Sequence, residues 1–426
     1  MLRSLRHAAT SLLGQNVISN YVAVFWLGGL SLALVPFYLK WLGAQQWGLV
    51  AVCMALQALW GVLDAGLSQI MPRDVARQGA TGQARVYRIY ARAYWLLGMT
   101  GFALGQILVP WLVTHWFNRG SGLDPWAELA LRLVLVQFLF QFANSANVGY
   151  WLGREKQKLA NIRQCIFGTL KHAGAVALIL GWRADALAYL LPFVLGSVLE
   201  WWSNRYAVSR LLVEDPDFRV KIRDLRALMG EAGTLAVGVL AGMLVVQIDR
   251  IVLSSVVDIE AFGRYVVVAN LGLALMQLQS PLTRAFLPRL VGAVATDRRR
   301  TRVQLGGAVL GLCVLPSVLA AIFAPFILDL WLGDRVIVVE GATTLRLIAL
   351  AVAVNSIFSV IYLEIITRAK SGVILAINVV SLVVVFPVTF LLSEWIGVTA
   401  GGVAWMMIAT LQLGLGGWWF IRMKKG

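Results

Sequence analysis

Residues 233–256 read GTLAVGVLAGMLVVQIDRIVLSSV, an apolar run long enough to cross a bilayer that carries Gln247, Asp249 and Arg250 in its second half. Charged groups in hydrocarbon are costly and are usually kept for ions, protons or a charged cargo. A run of this kind reads as one membrane helix of a transporter. Outward from it, comparable runs lie near 19–40, 47–69, 93–114, 129–152, 164–181 and 185–204 on one side. On the other side they lie near 264–287, 304–330, 342–366, 372–392 and 398–421. The chain is therefore expected to be an all-α polytopic membrane protein of about twelve transmembrane helices. Composition agrees, because 59% hydrophobic residues, 14% charged residues and a mean hydropathy of +0.77 exclude a soluble globular domain.

A formal charge of +16 would suggest nucleic acid for a soluble protein. Of the 37 basic residues, Arg132, Lys171, Arg250, Arg284 and Arg346 lie within or border spans, and the others alternate with the spans. Arg3 and Arg6 precede the first span; Arg73, Arg77, Arg85, Arg88 and Arg92 follow the second; Arg154, Lys156, Lys158 and Arg163 follow the fourth. The pattern continues through Arg205 to Arg226, Arg289 to Arg302, and Arg368, Lys370, Arg422, Lys424 and Lys425. The opposite side holds only Lys40, Arg119, Arg183, Arg264 and Arg335. The positive-inside rule then predicts that both termini are cytoplasmic. The basic loops read as topogenic charge and as contacts to anionic headgroups, with direct contact to a diphosphate cargo as the other reading. The first apolar run is too long for a cleavable signal core and is expected to stay.

Catalytic signatures are weak. Cys53, Cys165 and Cys313 are far apart, and His7, His115 and His172 are scattered and read as interfacial, so neither a metal site nor a disulfide framework is expected. No Gly-Lys pair occurs, which excludes a P-loop in this chain, and no cofactor is expected. Asp215-Pro216-Asp217 spells an Asp-x-Asp, but in a loop too short for a catalytic domain.

Landmarks repeat along the chain. Trp47-Gly48 opens the second span and Met71-Pro72-Arg73 closes it; Phe262-Gly263 opens the eighth and Leu287-Pro288-Arg289 closes it. Asn144-Ser145 in the fourth span answers Asn355-Ser356 in the tenth. A duplication of six spans gives two lobes inserted in the same orientation, residues 1–208 and 230–426, joined by a cytoplasmic linker at 209–229. A cleft between such lobes opens to either face by rocking.

These residues resemble a family. Asn16, Pro36, Leu42-Gly43, Trp47-Gly48, Asp64-Ala65-Gly66-Leu67 and Arg73, then Asp249, Phe262-Gly263-Arg264-Tyr265 and Leu330-Trp331-Leu332-Gly333, are similar in order and spacing to the Wzx-type polysaccharide flippases. Those belong to the multidrug/oligosaccharidyl-lipid/polysaccharide superfamily, with the lipid II flippases and the multidrug and toxin extruders. The resemblance implies a transporter that moves an undecaprenyl-diphosphate-linked oligosaccharide, the repeat unit of O-antigen, capsule or exopolysaccharide, to the outer leaflet by alternating access. It implies drive by an H+ or Na+ gradient or by membrane potential. A polysaccharide polymerase and chain-length machinery are the partners it suggests, besides the bilayer itself.

Candidate residues follow from that chemistry. Arg250 is the leading anion ligand, since guanidinium keeps its charge and binds phosphate oxygens through a fork; pairing with a neighbouring helix is the competing role. Asp249, turned about 100° away on the helix, reads as a proton or sodium site or as the partner of a basic residue elsewhere. Arg284 stands either as an inner-mouth phosphate ligand or as an interfacial anchor. Asp64 reads as a gate or as a cap at a local break, and Glu364 as a coupling or gating acid, with Glu200 a weaker candidate. Asn20, Asn144, Asn355 and Gln247, with Asn16, Asn147, Asn270, Gln277 and Gln279, are candidates for sugar hydroxyls or for interhelical bonds worth about 0.6–2 kcal/mol. Tryptophans at span ends, Trp47 and Trp201 among them, read as interface belts. Unlike the lipid II flippases, the first span carries no arginine, which speaks against a peptidoglycan precursor. A cation-coupled multidrug extruder using Asp64, Asp249 and Glu364 is one alternative, and a membrane glycan polymerase or ligase is another.

Overall fold

The computed structural model describes residues 12–64, 66–116, 126–213, 218–279, 282, 286, 290, 295–368 and 371–425. Two compact units divide the chain, residues 1–115 with 122–236 and residues 116–121 with 237–426. The first unit contains α1 (Leu12–Trp60), α2 (Leu67–Ala76), α3 (Ala80–Trp111), α4 (Ala127–Gly153), α5 (Gln157–Gly181) and α6 (Ala186–Ser209). α7 (Ile222–Val246) begins in the first unit and ends in the second. The second unit continues with α8 (Ile248–Val256), α9 (Ile259–Ala274), α10 (Ala295–Val309), α11 (Leu315–Ile322), α12 (Ala324–Leu332), α13 (Arg335–Thr367), α14 (Ser371–Ile396) and α15 (Thr399–Lys425).

Ten helices among the described residues are long and apolar enough to cross a membrane. The first, Ile18–Trp60, has 43 residues, or about 65 Å at 1.5 Å per residue, about twice a hydrocarbon core. It divides at Gly43, whose φ of 76° and ψ of 168° lie outside helical space, so it supplies two passes. α7 and α8 together form a further pass across a break at Gln247, which gives the twelve-pass all-α arrangement.

The breaks refine the expected spans. The second span does not run unbroken over 47–69; it stops at Trp60, passes through a 3-10 turn at Gly61–Asp64 and resumes as α2 behind Gly66. The ninth is interrupted by a π turn at Leu310–Val314, and Ala324–Leu332 is a separate short helix. The conformation of Gly43 is one that L side chains essentially avoid, at a cost of about 1–3 kcal/mol. Gly43→Ala is expected to lower the thermal unfolding midpoint although nothing lies within 4 Å of the added methyl; an unchanged midpoint would mean that the helix straightens without loss.

Polar residues at the ends of apolar runs have local work. Asp185, Asp258 and Asp334 each stand just before a helix and accept its first free N–H groups, from Ala188 at 2.9 Å, Ala261 at 2.7 Å and Val336 at 2.8 Å. In the first unit α3 packs on α4, α4 and α5 on α6, and α1 on α5; in the second, α13 packs along α15 and against α9. Trp47 is not part of an interface belt. It is buried, stacked with Tyr38 at 6.1 Å and edge-on to Tyr189 at 6.0 Å. His172 is likewise buried rather than interfacial, bonded to the Tyr38 hydroxyl at 3.0 Å.

Candidate functional site

The first unit holds an open chamber of about 540 Å³ lined by polar and apolar side chains. α5 carries Lys171 and α6 carries Glu200 into its wall, where Nζ donates to Oε2 at 2.7 Å with only 8% and 13% of the two side chains exposed. Gly196, one turn before Glu200, lets them meet: a Cβ there would lie 2.5 Å from Cγ of Lys171. Gly196→Ala is therefore expected to displace the lysine stem and lower the thermal midpoint, and an unchanged midpoint would show that the stem relocates freely.

From Glu200 the network runs inward. Asn144 Nδ2 donates to Glu200 Oε1 at 3.4 Å, and Asn144 Oδ1 accepts from Asn147 at 3.0 Å and Asn204 at 3.1 Å. Asn147 Oδ1 accepts from the Tyr87 hydroxyl at 2.7 Å, and Tyr87 accepts from Arg205 at 3.0 Å. Arg163 donates to Asn204. The remaining wall sets the amides Gln57, Gln137, Gln141, Asn161 and Gln164 among aromatic rings (Trp151, Tyr189, Phe193) and aliphatic side chains such as Leu27, Val134 and Leu190. Amide donors and acceptors next to aromatic rings suit the hydroxyls and the apolar faces of a sugar. A buried ion pair leaves the chamber neutral at that wall.

The sequence-predicted residues fall into separate places. Asn144 lines the chamber. Asn20 does not; it donates to Gln157 at 2.7 Å and accepts from Asn161 at 2.6 Å, tying α1 to α5. Asp64 accepts from Ser68 Oγ at 2.7 Å and its backbone N–H at 3.3 Å, and from the Tyr94 hydroxyl at 2.8 Å, so it closes the local break before α2. Asn355 donates to Gln412 at 2.9 Å, joining α13 to α15. Gln247 marks the break between α7 and α8. Arg284 lies outside the described residues, as do Asp215 and Asp217.

Asp249 and Arg250 both reach α9, by different contacts. Asp249 is buried and accepts from the Tyr265 hydroxyl and from Trp405 Nε1 at 3.1 Å, so the donors on it are neutral rather than the basic residue that the sequence suggested. Arg250 donates to Asn270 Oδ1 at 2.8 Å. Glu364 is fully buried at the centre of three guanidinium groups, Arg298 at 3.4 Å and Arg302 and Arg368 at 3.5 Å. Such a hub locks α10 to α13.

Sequence reading offers Glu200 as a weaker candidate and does not pair it with Lys171 of the 164–181 run. The signal for the pair is present: one lysine and one glutamate in neighbouring apolar runs, each too costly to bury alone.

Comparison with known proteins adds to this geometry. A family described as polysaccharide biosynthesis protein matches residues 13–294. A Shigella flexneri protein named "Putative O-antigen transporter" is 20% identical over 397 residues, covering 91% of this chain and 92% of that one. Among solved structures, the lipid II flippase MurJ in an inward closed conformation superimposes with a TM-score of 0.75 at 12% identity, over 94% of this chain and 87% of that one. The MATE multidrug transporter DinF-BH gives 0.71 at 16% identity, over 97% and 96%. At these identities the solved structures speak for the fold, which is that of the superfamily that the sequence resembles.

Proposed function

We infer the function from one premise: the chain belongs to the polysaccharide biosynthesis protein family. It is a flippase that carries a lipid-linked glycan across the membrane by alternating access. The cargo is an undecaprenyl-diphosphate-linked oligosaccharide repeat unit, moved from the cytoplasmic to the outer leaflet of a bacterial inner membrane. The gathering of basic residues in alternate loops supports cytoplasmic termini.

The observation that carries this reading is the group of amide side chains that line the chamber of the first unit among aromatic and aliphatic residues. Sugar hydroxyls exchange water for such groups at little loss, whereas an apolar or cationic cargo would leave many of them without partners. Arg250 spends one of its five N–H donors on Asn270 and keeps the others for a phosphate.

The multidrug reading requires an acid able to meet a cation. Glu200 is neutralised by Lys171 and Glu364 by three arginines, which leaves Asp249 and Asp64, hydrogen-bonded by neutral donors, as the acids on which the multidrug reading rests. The amides that line the chamber favour the lipid-linked glycan over that reading.

Gln141→Ala with Gln164→Ala should reduce glycan export by about tenfold, since each lost hydrogen bond to the cargo costs about 0.5–1.5 kcal/mol, while the amount of protein in the membrane stays constant. Resistance to cationic dyes should not change. Undiminished export in the double variant, or dye efflux that requires Glu200, would overturn the assignment of cargo.

A further inference from the structure

Away from the chamber, the first unit has a second concavity of about 670 Å³ whose wall is unusually basic. Arg88 and Arg92 come from α3, Arg205 from α6, and Arg219 from the segment that precedes α7. No carboxylate is present among its described lining residues. We propose that this groove is a binding site for a paired-phosphate headgroup, the diphosphate of a lipid-linked sugar or the two phosphates of an anionic bilayer lipid.

The site is built. Arg85, Arg88 and Arg92 are spaced three and four residues apart and so share one face of α3. All three hold the segment 218–220: Arg85 lies over the Phe218 ring at 5.4 Å, Arg88 Nη1 donates to the Phe218 carbonyl at 3.3 Å, and Arg92 Nη1 to that of Val220 at 3.5 Å. Arg205 is fixed from the other side, donating to the Tyr87 hydroxyl and lying 5.2 Å over its ring. A guanidinium has five N–H donors, so the one carbonyl bond of Arg92 and the one hydroxyl bond of Arg205 fix each fork and leave donors for an anion.

Arg92, Arg205 and Arg219 bring like charges to one concavity and focus a positive potential into it, which a doubly charged anion relieves. Phosphate oxygens suit guanidinium forks, and basic pockets between membrane helices hold such headgroups. Beside the arginines, Trp95 and Trp201 pack edge to face at 5.3 Å and both line the groove. Indole offers an apolar face for the first sugar next to a diphosphate. Through Tyr87 and Asn147 an occupant would also touch the hydrogen-bond network of the chamber.

This inference goes beyond the proposed cargo and does not depend on it, because binding is measured without transport. The full-length protein is placed in phosphatidylcholine nanodiscs, and the affinities of undecaprenyl diphosphate carrying one sugar, of cardiolipin and of inorganic pyrophosphate are measured. Arg92 and Arg219 are exposed, so Arg92→Gln with Arg219→Gln should fold normally. The pair of changes is expected to weaken diphosphate binding by about tenfold, the equivalent of about 1.4 kcal/mol. Arg77→Gln, an exposed arginine outside the groove, should change it less than about twofold. Preference for the sugar diphosphate over cardiolipin identifies the lipid-linked sugar as the source, and equal affinity identifies a bilayer lipid; either supports the site if the double variant loses it. Equal losses from Arg77→Gln and from the double variant would mean diffuse attraction, and binding that is insensitive to both would remove the site altogether.

Discussion

Glu200→Gln is expected to destabilise the protein by about 3 kcal/mol, the low end of the usual cost of leaving one member of a buried ion pair alone, because one side of this pair faces the chamber. Lys171 would remain 8% exposed with the Glu200 carboxylate gone. In a detergent-solubilised thermal scan, Glu200→Gln and Lys171→Met should each lower the midpoint markedly. Combining them should recover most of the loss, since replacing both charges by neutral groups of similar shape is often neutral. The double variant then separates stability from transport: a folded protein that no longer exports glycan would place the pair in cargo handling. Additive losses in the double variant would contradict the pairing.

Glu364→Gln should have an effect at least as large, about 3–5 kcal/mol, because this carboxylate is fully buried and faces Arg298, Arg302 and Arg368 together. Its removal leaves three cations against one another at the junction of α10 and α13. Arg368→Gln should cost much less, below about 1 kcal/mol, as this side chain is 38% exposed and two arginines remain on the glutamate. The comparison also decides between a lock and a coupling site. A lock predicts that Glu364→Gln protein is recovered in reduced amount and melts early, with transport falling in proportion. If the variant keeps its wild-type midpoint while transport is lost, Glu364 acts as the coupling acid that its sequence position suggested.

Much of the fold was legible because lipid imposes simple rules. Apolar length gave the passes, and the alternation of arginines gave an ordering of loops. The gap between the runs at 19–40 and 47–69 holds Gly43, where α1 divides, and the run at 185–204 opens on Asp185, which caps α6. The site was legible less evenly. Asp249 and Arg250 stood out as polar groups in an apolar run, yet the partners of Asp249, Tyr265 and Trp405, lie 16 and 156 residues away. No local pattern fixes such pairings. Lys171 and Glu200 are 29 residues apart on adjacent helices, and their meeting depends on the depth of each, which apolar windows locate only to within a turn or so. For the same reason Arg85, Arg88 and Arg92 read as loop charge, although α3 begins at Ala80, more than three turns before the expected start of its span. A helix that extends past the hydrocarbon can present a basic face that hydropathy alone assigns to a loop.

The central claim is that this chain moves a lipid-linked glycan between leaflets, and leaflet-resolved lipid analysis in the native bacterium tests it most directly. The protein is depleted, undecaprenyl-diphosphate glycans are extracted, and spheroplasts are treated with an added glycosidase that cannot cross the membrane. The account predicts accumulated glycan shielded from the enzyme, with exposure restored by the wild-type protein and not by Arg250→Ala. Normal export without accumulation after depletion would contradict it.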